Sequence, residues 1–112
     1  MGKQERLRKN SEFAYVFERG RMWASELVVL KAVPNELGYS RYGLITSKRL
    51  GKAVVRNRVR RLLREVTRTT PTKSGWDMVF IARVKAATAS YREIDTAVAG
   101  LLKRARILTD EN

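Results

Sequence analysis

Histidine and cysteine are both absent from the 112 residues, which removes the side chains on which much of protein catalysis rests. Disulfides, thiolate nucleophiles, imidazole bases and Cys/His metal sites are excluded, so acid–base work or metal ligation would fall to carboxylates, lysine or tyrosine. Carboxylates are scarce as well, eleven Asp plus Glu against twenty-four Lys plus Arg. Only Glu93 with Asp95 and Asp110 with Glu111 stand close together, and residues two apart on a helix diverge. A two-metal nuclease site is not visible unless carboxylates distant in sequence converge. No apolar run approaches the roughly 18 residues of a membrane span. The opening MGKQERLRKN has charge but no hydrophobic segment behind it, so no secretory signal is expected. These absences predict no catalytic residue, no metal intrinsic to the protein, no membrane partner and a cytoplasmic location.

What the chain does have is positive charge. Its formal net charge is +13, the electrostatic footprint of a nucleic-acid binder. With 44% hydrophobic residues and two Trp, four Tyr and three Phe, it has the means to fold rather than to remain a basic tail. Its length suits one domain, residues 1–112, with a single core.

The charge is densest from Lys48 to Arg64, in KRLGKAVVRNRVRRLLR, with eight Lys or Arg and no acid. Val55, Val59, Leu62, Leu63 and Val66 keep helical spacing and predict a core-facing stripe. Arg56, Asn57, Arg58, Arg60, Arg61, Arg64 and Arg68 fan over the rest of the circumference. Solvated helix faces ordinarily mix signs and gain pairs at i, i+4. Here Arg56, Arg60 and Arg64 repel one another at that spacing, a cost that a bound chain of phosphates reverses. Asn57, a poor helix former, fits a polar contact to a bound nucleic acid or an anchor for a neighbouring loop. Arg58 lies nearest the apolar stripe and is expected to be half buried.

The other elements follow from punctuation and period. Asn10 or Ser11 is expected to cap a short helix ending at Gly20, with Phe13, Val16 and Phe17 on one face, a pattern that core packing explains. An extended segment from Trp23 to Val33 precedes a Pro34-Asn35 loop, and Arg41 to Ser47 alternates as another strand; antiparallel pairing is expected. Trp76 to Val84 reads as a central strand apolar on both faces. A last helix, Tyr91 to Ile107, carries Ile94, Val98, Leu101, Leu102 and Ala105 as its stripe. The order helix, two or three strands, basic helix, strand, helix predicts an α+β single-domain sandwich with a central sheet. A crossover through the basic helix would be right-handed by default. Charge gathers at Lys3 to Lys9, Lys48 to Arg68 and Lys103 to Arg106.

Arg56-Asn57-Arg58 with Arg60, Arg61 and Arg64, preceded by Ser47-Lys48-Arg49-Leu50-Gly51-Lys52-Ala53-Val54, resembles the protein subunit of bacterial ribonuclease P. Arg6-Leu7, Glu12-Phe13, Val16-Phe17, Gly20, Gly43-Leu44 and Phe80-Ile81-Ala82-Arg83 fit in order, so the resemblance spans nearly the whole chain. It implies a basic subunit, monomeric within a ribonucleoprotein, that binds a catalytic RNA and helps it cleave the 5′ leader from precursor tRNA. The RNA would carry the active site and most of the magnesium. By the same resemblance Arg56, Asn57, Arg58, Arg60, Arg61 and Arg64, with Lys48, Arg49 and Lys52 beside them, contact the RNA subunit. Phe13 and Phe17, with Val28 and Leu30 on the adjoining strand, would line a leader cleft, and the crossover would be left-handed. A ribosomal or RNA-assembly protein without associated catalysis is the rival reading.

Overall fold

The computed structural model describes residues 4–109. In chain order its elements are β1 (Gln4–Arg6), α1 (Asn10–Arg19), β2 (Arg21–Ala24), β3 (Val28–Pro34), β4 (Ser40–Ile45), α2 (Ala53–Thr69), β5 (Trp76–Ala82) and α3 (Tyr91–Arg104). Short 3₁₀ segments at Lys48–Leu50 and Val84–Thr88 precede α2 and α3.

The strands form one sheet ordered β1-β4-β5-β3-β2. Asp77, Met78, Val79 and Phe80 are all buried, as a run in the middle strand must be when both faces are covered. This arrangement corrects the expected antiparallel pairing of the second and third strands. β5 inserts between β3 and β4, pairing antiparallel with the first and parallel with the second. The expected continuous segment from Trp23 to Val33 is in fact two antiparallel strands, β2 and β3. Ser25 breaks it, because its hydroxyl donates to the Val28 carbonyl and accepts from the Val28 N–H, closing a turn. β1, only three residues long, pairs parallel with β4 and had no signal of its own in the sequence.

Alternation divides the sheet into two unequal faces. Val28, Leu30, Ala32, Tyr42, Met78, Phe80 and Ala82 join Val59, Leu63 and Val66 of α2 and Ile94, Val98, Leu101 and Leu102 of α3 in the principal core. The opposite face carries a smaller cluster, Val33 and Val79 with Leu7 and Val16, against which Phe13, Ile45 and Ile81 are only partly buried. One short helix covers less of a sheet than two long ones, so this second face stays half open.

Local chemistry sets the helix ends. At the start of α1 neither Asn10 nor Ser11 caps; Lys9 holds the cap position, and Glu12 Oε1 accepts the N–H groups of Arg8 (2.7 Å) and Lys9 (2.9 Å). α1 stops at Gly20, where a Cβ would lie 2.5 Å from the Val16 carbonyl oxygen. Ser90 and Glu93 form a reciprocal capping box on α3. α3 ends at Arg104 rather than Ile107 because Arg106 reverses the chain at φ 64°, which returns Ile107 to the core.

Candidate nucleic-acid interface

The stripe of α2 behaves as its spacing predicts: Val59, Leu63 and Val66 are buried, with Val55 and Leu62 packed beside them. The remaining circumference is cationic and differentiated. Lys48, Arg49, Lys52, Asn57 and Arg61 are exposed, while Arg56, Arg58, Arg60 and Arg64 are half buried. Among the described residues none of the eight cations from Lys48 to Arg64 is paired with a carboxylate; the ion pair on α2 is Arg68 with Glu65, one turn further on.

Arg60 donates to Asn57 Oδ1 (2.9 Å) and Thr46 Oγ1 (2.6 Å). Asn57 therefore anchors a neighbouring side chain, and that side chain ties α2 to the residue following β4. Arg56 and Arg64 flank Arg60 in the same row, and the Nε atom of each is buried without a hydrogen-bond partner. Their stems lie along the protein, which holds the guanidinium heads in place at small entropic cost. Arg58 is different: its two terminal nitrogens donate to the carbonyls of Ala87 (3.3 Å) and Ala89 (2.8 Å). These bonds clamp α2 to the segment leading into α3, a structural employment that composition did not reveal.

On the open sheet face, Phe17 is 39% exposed and Phe13 is half buried above Gly43, where any Cβ would overlap the Phe13 ring. Val28 and Leu30, expected beside these rings, are fully buried in the principal core on the other face. The correction is one of strand phase: a slip of one residue exchanges the faces. Val29 and Lys31 take the cleft side instead, and Met22, paired with Lys31, stands 62% exposed on the edge strand. Lys31 Nζ donates to the Phe17 carbonyl (2.8 Å) and lies 5.4 Å from the Phe17 ring centroid. Past Ile81 the cleft meets a groove of about 560 Å³ bordered by Ser47, Arg49, Arg83, Lys85 and Glu26.

At the other end of α1, Arg41 joins two carboxylates. Its Nε and one terminal nitrogen grip Asp77 (3.0 and 2.7 Å), and the other terminal nitrogen meets Glu12 Oε2 (2.9 Å). Asn35 Nδ2 completes the shell of Asp77 at 2.7 Å. The backbone N–H groups of Lys9 and Arg8, with the Arg41 charge, hold the Glu12 carboxyl below the usual carboxylate range. The hydrogen bonds that Arg41 donates to Asp77 raise the pKa of its guanidinium in turn. Among the described residues no group of three or more acids gathers in a way that could hold a metal ion. Glu12 and Asp77, brought to one place from distant parts of the chain, are both occupied by Arg41. Lys3 of the first basic cluster and the pair Asp110 and Glu111 lie outside the described residues. Arg104 of the last cluster donates to the Ala24 carbonyl at the β2 edge.

A helix face whose eight cations from Lys48 to Arg64 have no carboxylate partner among the described residues, beside a half-open aromatic cleft on an α+β sheet, defines a protein of the RNA-binding class. A family model described as Ribonuclease P matches residues 1–106. The chain is 48% identical over 112 residues to the ribonuclease P protein component of Dehalococcoides mccartyi, covering 100% of this chain and 93% of that one. Its fold matches the RNase P protein of Staphylococcus aureus with a TM-score of 0.84 at 29% identity, over 96% of this chain and 100% of the other. The Thermotoga maritima RNase P protein matches with a TM-score of 0.79 at 31% identity, over 89% and 96%. The chain belongs to the bacterial ribonuclease P protein family, the protein components of a tRNA-processing ribonucleoprotein.

Proposed function

We propose that this chain binds the catalytic RNA subunit of ribonuclease P through α2 and the 5′ leader of precursor tRNA through the cleft beside α1, supporting endonucleolytic 5′ maturation. The observation that carries the reading is the set of eight cations from Lys48 to Arg64 with no carboxylate partner among the described residues. Arg56, Arg60, Arg61 and Arg64, with Lys48, Arg49 and Lys52, grip phosphates of the RNA subunit; guanidinium forks suit this because each can engage a phosphate bidentately. Arg58 contributes by holding α2 in place. In the cleft, Phe13 and Phe17 receive unpaired leader bases, and Lys31 neutralises a phosphate beside them.

The active site and its magnesium ions belong to the RNA, and the protein acts as a counter-charge, monomeric in a cytoplasmic ribonucleoprotein. Precursor tRNA and catalytic RNA repel each other as polyanions. A +13 protein lodged between them lowers that cost and lets the assembly form with fewer magnesium ions. The test is reconstitution with a ribonuclease P RNA, scoring leader removal at low magnesium with and without the protein. Rescue of cleavage is expected. Absence of rescue, with preferential capture of ribosomal RNA, would favour an RNA-assembly protein without associated catalysis.

A further inference from the structure

The ion network of Glu12, Arg41 and Asp77 lies apart from the cationic face of α2 and calls for its own account. Asp77 has a side chain only 4% exposed, with Glu12 at 22% and Arg41 at 21%. Replacing such buried ionic groups by well-packed apolar ones is often neutral or stabilising. The value of this network is therefore to be sought in geometry.

That geometry is specific. Arg41 and Asp77 are direct register partners on adjacent parallel strands, both on the face that α1 covers. Glu12 spends one oxygen on the backbone of Arg8 and Lys9 and the other on Arg41. One carboxylate thus begins the helix and fastens it to the sheet. Phe13 follows Glu12, Gly43 lies two residues beyond Arg41 on the same strand face, and the Phe13 ring occupies the space above Gly43. At the far end of α1, Lys31 holds the Phe17 carbonyl. The helix is pinned at both ends, with its two cleft-facing rings between the pins.

We propose that Glu12, Arg41 and Asp77 are positioning residues for leader recognition, setting the height and tilt of α1 and hence where Phe13 and Phe17 stand above the open sheet face. The inference rests on the reading that this cleft takes the leader. Discrimination between precursor and mature tRNA then depends on a network that acts through the rings rather than on the leader itself.

The test is a double-mutant cycle in the reconstituted holoenzyme, reading the ratio of precursor to mature tRNA affinity, with RNA-subunit affinity and protein melting followed alongside. Glu12→Gln keeps a carbonyl oxygen for the helix start but turns an NH₂ group toward Arg41. The ratio is expected to fall about tenfold in Glu12→Gln and at least as far in Phe17→Ala, within the range of one stacked base. RNA-subunit affinity stays unchanged. The double variant should lose less than the product of the single effects, because one residue acts through the other. An unchanged ratio in Glu12→Gln, or independent multiplication of the two effects, overturns the inference while leaving the leader cleft intact. A Phe17→Ala protein with full discrimination overturns the cleft reading, and the inference with it. If Glu12→Gln fails to fold, Arg41→Lys replaces it, since an ammonium cannot fork across Asp77 and still span to Glu12.

Discussion

Two arginines three residues apart on one helix have different work. The exposed Arg61 side chain makes no hydrogen bond among the described residues, while Arg58 closes on two carbonyls 29 and 31 residues away. Arg61→Ala should leave melting unchanged and weaken RNA binding. Arg58→Ala should cost about 1 to 2 kcal/mol of stability, since it removes two charge-assisted bonds; thermal or denaturant unfolding checks it. A parallel contrast holds in the strands. Leu30→Ala should destabilise by about 2 to 5 kcal/mol, the range for emptying a packed core site. Phe17→Ala should cost far less in stability, because the ring is already 39% exposed, and its effect belongs on precursor tRNA binding.

At the scale of elements, α1 is held to the sheet through Glu12 at its start and the Phe17 carbonyl near its end. Glu12 gives it a pH dependence with a definite sign. Its carboxyl lies below the ordinary value of 4.5, so the contribution is fully present above that value and is lost as acidification carries the pH down through the lowered one. Wild-type protein should therefore lose more stability than Glu12→Gln when acidified below 4.5, as read by denaturation midpoints. The loss is small because the group is partly exposed. Gly43 makes a second prediction for the same element. An alanine there displaces the Phe13 ring, so Gly43→Ala should destabilise by about 1 to 3 kcal/mol and reduce precursor over mature tRNA discrimination while sparing RNA-subunit affinity.

For the whole molecule, the excess of thirteen positive charges makes binding a problem of counterion release. Replacing Lys52 and Arg61 together by alanine should flatten the dependence of log K on log salt by about 0.7 to 0.9 for each phosphate that is no longer neutralised. A titration across several salt concentrations measures it, and an unchanged slope with folding intact would remove that face from the interface. Adding Arg60→Ala mixes two effects, because Arg60 also binds Asn57 and Thr46.

Helical period is a long-range code written in consecutive residues. The stripes Val55 to Val66 and Ile94 to Leu102 therefore named their buried faces from the sequence, and the unmixed charge on the rest of α2 raised the expectation of a polyanion. Helix ends and strand order were less legible. Lys9 holds the α1 cap because Glu12 reaches back to it, and β5 separates β3 from β4 because both its faces require cover. The run Leu27-Val28-Val29-Leu30 is apolar on either phase, and period two cannot choose a face without an alternating polar partner. Packing under α2 and α3 made that choice, and with it assigned Val29 and Lys31 to the cleft. The amino-acid sequence by itself determined the cationic helix, its core stripe and the family. Only the tertiary structure decided which arginines of α2 are tied to other parts of the protein and how α1 is fastened, because such partners meet across dozens of residues of chain.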